Sequence, residues 1–196
     1  MEYLSMKPHE VVQLFNSRTT SPVGQIIVRA AVLRRSRHNP NEPEILLLKR
    51  NESDTNSPNA YEVPSGRVSF LNESVREALD GEVTAQTGLS VFQVESALQT
   101  QNVRSSQITR NGVSGRSHES VPRYCLLIYV VRIIGDLDDF EVDPGVHSTG
   151  EFFSESAVLA IAFVMSEEKQ IPDRAVQNLD LYLAPLCTWC LRNVVG

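Results

Sequence analysis

Two arginines, two histidines and a pair of cysteines are the side chains whose chemistry stands out along the chain. Arg50 closes an apolar run and Arg67 follows a Pro-Ser-Gly turn; a guanidinium presents forked donors that suit an anionic or carbonyl-bearing ligand, or equally a surface ion pair. His118 and His147 lie in polar stretches. Imidazoles titrate near neutral pH and can act as acid, base or ligand contact, although a loop histidine is more often simply solvated. His147 ranks first of the two because it follows the Asp143-Pro144 turn. Cys187-Thr188-Trp189-Cys190 has C-x-x-C spacing, but one pair supplies only half of a four-ligand zinc site and no second pair follows. It reads as two semi-buried cysteines on a C-terminal helix, with Cys125 in a core strand.

These residues must be carried by regular elements, and the apolar periodicity outlines them. Val11, Val12, Leu14 and Phe15 recur at helical spacing after Pro8, predicting a helix over Pro8 to Ser17. Gln25 to Leu33 is rich in β-branched residues and Ile45-Leu46-Leu47-Leu48 reads as a buried strand. Tyr61-Glu62-Val63 is a brief strand stopped by Pro64. The period then changes: Leu71, Val75, Leu79 and Val83 recur every four residues and Gly88 supplies a stop. This predicts a helix over Asn72 to Thr87, capped by Asn72, with Gly81 inside it costing about 1 kcal/mol relative to alanine. Strands follow over Ser90 to Gln99 and Arg123 to Ile134. Between them Arg104 to Pro122 is expected to be a long loop, Gly135 to Gly150 an acidic one, and Asp173 to Arg192 a final helix.

The chain has 196 residues, 41% of them hydrophobic and 21% charged, which fits one globular domain with a sizeable core. The domain is set at 23–196, with 1–22 as a helical extension. A net charge of -6 gives no basic footprint for nucleic acid. The longest nearly uncharged apolar stretch, Tyr124 to Val131, is well short of the roughly 20 residues of a membrane span. With no secretory pattern at the N-terminus and an odd number of cysteines, a cytoplasmic protein is expected. The partner expected is a small-molecule substrate, not nucleic acid or membrane, with a homodimer left open.

From Ile26 to Leu89 the sequence resembles the Nudix hydrolases. Tyr61-Glu62-Val63-Pro64-Ser65-Gly66 is similar to the W-E-x-P-G-G segment seen in many members. Glu73 follows Gly66 after six residues where the family pattern has five, and seven more lead to Gly81-Glu82-Val83-Thr84-Ala85-Gln86-Thr87-Gly88-Leu89. The one-residue insertion resembles a fungal subgroup. The resemblance implies an α+β fold, a Nudix-like α/β/α sandwich with a mixed β-sheet. In the family the R-E-U-x-E-E segment of the helix supplies carboxylates to magnesium, U being a bulky apolar residue. Here Gly81 replaces the arginine, and Ala85 and Gln86 replace two of the glutamates. Only Glu82 remains, so no metal ligand is assigned.

Magnesium neutralises a diphosphate and activates the attacking water, and its loss removes electrostatic stabilisation that could reach several kcal/mol. The resemblance places Glu62 and Glu82 on one cleft, where a carboxylate in a partly dry pocket can act as acid or base without metal. Glu82 and Glu62 are therefore the catalytic candidates, with Arg50, Arg67, His147 and His118 as substrate contacts and no cofactor. The leading expectation is metal-independent isomerisation, cyclisation or hydrolysis of an organic small molecule in specialised metabolism. One alternative is a Mg-dependent hydrolase of nucleoside diphosphates linked to another moiety, recruiting Asp138, Asp139, Glu141, Asp143 or Glu151. A second is a non-catalytic ligand-binding or regulatory domain.

Overall fold

The computed structural model describes residues 3–20, 22–55, 58–104, 123–134, 137–167, 187–188 and 190–192. In chain order these form α1 (Pro8–Ser17), β1 (Gln25–Arg35), β2 (Pro43–Arg50), β3 (Tyr61–Glu62), β4 (Ser65–Arg67), α2 (Val75–Thr87), β5 (Ser90–Arg104), β6 (Arg123–Ile134), β7 (His147–Ser154) and α3 (Glu155–Glu167). His118 and most of the proposed 104–122 loop and 173–192 helix lie outside the described residues.

The strands build one seven-stranded sheet in the order β3-β2-β1-β6-β5, with β4 also against β1 and β7 against β2. It is mixed: β1 and β6 run parallel from Gln25–Tyr124 to Val32–Val131, while the other pairings are antiparallel. Side-chain alternation divides β1 between two cores. Ile26, Val28, Ala30 and Val32 join Leu46, Leu48, Leu127 and Tyr129 under α1 and α2, and Ala31 joins Ile45, Leu47 and Val130 under Val158 of α3 and Cys187, Cys190 and Leu191. Helical layers therefore cover both faces, as the α/β/α sandwich requires. Fully buried leucines such as Leu46 and Leu48 each contribute roughly 1.5–3 kcal/mol relative to exposure.

The α1 helix has the predicted bounds. Pro8 occupies its first turn, where a missing N–H costs nothing, and the Glu10 carboxylate accepts from the Lys7 amide at 2.9 Å. The segment before it is tied to α2, since Met6 and Leu4 carbonyls accept from the Val75 and Arg76 amides at 3.0 and 2.9 Å.

Helix α2 starts later than its periodicity suggests. Ser74, extended at φ -154°, is the cap, and its hydroxyl accepts from the Glu77 amide at 3.1 Å. Asn72 instead donates its backbone N–H to Ser69 in the preceding turn, and Leu71, 93% exposed, does not belong to the apolar stripe. Gly88 ends the helix at φ 67°, the left-handed position that favours glycine. Its buried side, Val75, Ala78, Leu79 and Val83, packs on the sheet.

Two further corrections concern the C-terminal half. His147 to Ser154, placed partly in an acidic loop, is a strand antiparallel to β2, and α3 follows it directly. The cysteines at 187 and 190 are fully buried free thiols, not semi-buried.

Candidate functional site

Glu62 reaches its position because β2 is flanked at its end by two strands. β3 pairs Glu62 with Leu48 on one side, and β7 pairs Gly150 with Leu48 on the other, then passes a bulge between Lys49 and Arg50 that sets Arg50 opposite His147. Antiparallel partners share a face, so Glu62 lies on the face of Leu48, the one that α2 covers.

There Glu62 is held on both oxygens. Oε1 accepts from Nε2 of His147 at 2.9 Å, Oε2 from Nη2 of Arg50 at 2.9 Å, and Nη1 of Arg50 donates to Asp54 at 3.0 Å. Burial pushes the Glu62 carboxyl up, but the hydrogen bonds from His147 and Arg50 and the guanidinium charge outweigh it and leave Glu62 below the usual carboxylate range. Burial lowers the Arg50 guanidinium, and its bonds and charge contacts with Glu62 and Asp54 more than reverse this. An ionised Glu62 can only accept, which fixes the proton of His147 on Nε2. The imidazole is 1% exposed, and Nδ1 has no partner among the described residues.

Glu82 occupies a separate position on α2, over Gly66 of β4. A Cβ added to Gly66 would fall 2.0 Å from the Glu82 Cδ, so the carboxylate fits there only because that residue is glycine. Gln86, one turn on, joins helix and strand. Its Oε1 accepts from the Ser65 amide at 3.2 Å, and its Nε2 donates to the Ser65 carbonyl at 2.7 Å and to Glu82 Oε2 at 3.0 Å. Burial raises the Glu82 carboxyl above the usual range, and the Gln86 bond offsets part of that rise.

The two positions are connected. Glu62 and Ser65 are separated only by Val63 and Pro64. On the other side the Gln86 carbonyl accepts from the Asp143 amide at 3.1 Å, and the Asp143 carbonyl accepts from His147 N–H at 2.9 Å. Asn51 pins the same loop to the end of β2 through Val146 and Pro144 at 3.0 and 2.9 Å.

The structure thus brings together Glu62, Arg50 and His147, and holds Glu82 at a separate position on α2 that is tied to them through Gln86, Ser65 and the Asp143 backbone. Arg67 is not among them: it pairs with Ile27 while Gly66 pairs with Val28, so its exposed side chain points away from the Glu82 face. The sequence reading singled out neither Asp54 nor the bonding of Gln86. Asp54 sits in a polar loop, although its spacing four residues after Arg50 is a usable hint; the Gln86 clamp depends on contacts far apart in sequence.

The donors do not fit a magnesium site, which wants several oxygen ligands. Gln86 turns its nitrogen towards Glu82, and residue 85 is alanine. Among the proposed recruits, Asp138 is bound to Arg34 at 2.8 Å, and Arg34 stacks on Phe152 at 4.0 Å. Glu151 pairs with Leu47 and so lies on the opposite face of the sheet. Asp143 reaches α2 through its backbone. Among the described residues no group of three or more His, Cys, Asp or Glu is placed to hold a metal ion, and no helix is long and apolar enough to cross a membrane.

No protein-family model matches the chain, and no curated protein does either. Solved structures do. A MutT Nudix hydrolase from Burkholderia pseudomallei aligns with a TM-score of 0.50 at 16% identity, covering 83% of this chain and 96% of its own. The Nudix domain of Shewanella oneidensis NrtR, in complex with ADP ribose, aligns at 0.52 and 13% identity, covering 82% and 97%. The likeness is one of fold.

Proposed function

We propose, for a chain with the Nudix fold, that it is an enzyme acting on an organic small molecule by metal-independent acid/base chemistry, with Glu82 as the acid or base. One observation carries this reading: the Glu82 carboxylate is held by the Gln86 amide, which is itself fastened to the Ser65 backbone. A carboxylate positioned by a neutral donor and partly desolvated can exchange a proton with a substrate without a cation. Glu62, ionised and bound on both oxygens, serves as an anchor that fixes Arg50 and His147 at the end of β2. Isomerisation, cyclisation or hydrolysis in specialised metabolism are the reactions this chemistry suits.

The test is a mass-spectrometric screen of organic small molecules with the full chain in EDTA. Conversion that persists in EDTA and disappears in Glu82→Gln is the expected result. Conversion that requires Mg²⁺ would instead favour hydrolysis of a nucleoside diphosphate linked to another group, and conversion undiminished in Glu82→Gln would refute the role given to this residue. ADP ribose, held by the Shewanella domain, belongs in the screen; its recovery bound and unchanged, with no compound converted, would favour a binding domain.

A further inference from the structure

Both hydrogens of the Gln86 side-chain amide and its oxygen are in use, and their arrangement has one orientation. Reversing the amide would set Oε1 against Glu82 Oε2 and Nε2 against the Ser65 N–H, acceptor against acceptor and donor against donor. The side chain therefore presents N–H to Glu82. A carboxylate in its place would leave two anions about 3 Å apart and call for a cation between them.

The charges around this point are unfavourable to a diphosphate. Arg50 shares the face, but Glu62 and Asp54 occupy its two terminal nitrogens. Arg67 is on the other face of β4. The half-buried Glu82 has one bonded oxygen and one, Oε1, that takes no hydrogen bond among the described residues.

We infer that Glu82, Gln86 and Ser65 form a cation-free ligand site, which takes an uncharged organic molecule through a hydrogen bond to Glu82 Oε1 and turns away diphosphates. This rests on the proposed reading in one respect, that Glu82 faces the ligand. The Gln86 amide fills the structural place of a bridging ion: it closes α2 onto the first residue of β4 and holds Glu82 over Gly66. The negative charge of Glu82 is then left without a cation, and a diphosphate meets it directly. A neutral compound with a hydroxyl or amide N–H to donate to Oε1 meets no such repulsion.

Calorimetry and thermal melts on the full chain test this with three probes: Mg²⁺ alone, ADP ribose alone, and the two together. With the wild-type chain, none at micromolar to millimolar concentration should give binding heat or shift the melt. Glu82→Gln keeps an oxygen for the Gln86 donor and removes the charge, so ADP ribose without metal should bind it at least about tenfold more tightly than wild type. Micromolar binding of ADP ribose to wild type, with or without Mg²⁺, overturns the inference, as does a Glu82→Gln affinity no higher than that of wild type. Gln86→Glu should melt several degrees lower and recover on adding Mg²⁺; a wild-type melt in EDTA would refute the clamp. A screen that finds no acid/base turnover alongside the expected binding results would count against the catalytic reading alone.

Discussion

Glu62→Gln offers the sharpest test of how the end of β2 is held. The substitution keeps size and shape but leaves one acceptor where there were two, and brings an NH₂ group against either Arg50 or His147. Glu62 accepts two hydrogen bonds at 2.9 Å, and hydrogen bonds to charged groups are worth about 1.5–3 kcal/mol each. Breaking a buried ion pair can cost about 3–5 kcal/mol, but the Glu62 and Arg50 side chains are 19% and 29% exposed, so part of that is screened. A loss of about 2–3 kcal/mol at neutral pH follows, or a fall of about 4–12 °C in Tm for a chain of this size. The pH dependence has a definite sign. Glu62 is depressed in the folded state, so its contribution is present above the unfolded carboxylate pKa and fades as pH falls through the folded value. Urea titrations from neutral to acid pH should therefore show wild type and Glu62→Gln converging at the acid end. A variant within about 0.5 kcal/mol of wild type at neutral pH, or a gap that widens on acidification, would refute the argument.

Three further substitutions or treatments have clear outcomes. Gly81→Ala places a methyl on an exposed helical position with no atom within 4 Å and should stabilise by about 0.5–1 kcal/mol, seen as a higher urea midpoint with unchanged slope. Gly66→Ala displaces the end of a flexible side chain and not the backbone, so it should cost no more than about 1 kcal/mol while removing the upward displacement of the Glu82 carboxyl followed by carbon NMR. Cys125 and Cys190, pushed up to about 12 by burial, and Cys187, raised in the same way with Cys190 adding to it, should resist thiol reagents at neutral pH until the chain is unfolded in urea.

Much of the architecture was legible because it is local. The β-branched and leucine runs mark β1, β2 and β6, and the Pro8 start and amphipathic spacing give α1 its bounds. The start of α2 is not legible from periodicity because Leu71 fits a four-residue period, whereas the chain begins its helix where Ser74 can cap it. β7 was hidden by the acidic residues before it, and with β7 went the setting of His147: a bulge on β2 and a pairing partner about a hundred residues away in sequence put this imidazole in the core. Pairing with β1 turns Arg67 away from α2, and pairing with β2 turns Glu151 away from it. Neither orientation follows from residue type.

The contrast between Glu62 and Glu82 bears on the division of labour in the proposed enzyme. Two carboxylates on one face of a sheet are driven apart by their surroundings: one is bound on both oxygens by an arginine and a histidine and kept ionised, the other is desolvated, touched by a neutral amide and raised. Opposed environments of this kind separate a group that carries a proton from one that stays charged. Exchanging the roles would require Glu62 to release Arg50 before it could take up a proton, leaving a half-buried guanidinium with only Asp54. Glu82 can change protonation while Gln86 keeps its two bonds to Ser65, so the start of β4 stays in place throughout. That asymmetry, more than the presence of either glutamate, favours Glu82 as the residue that works on a substrate.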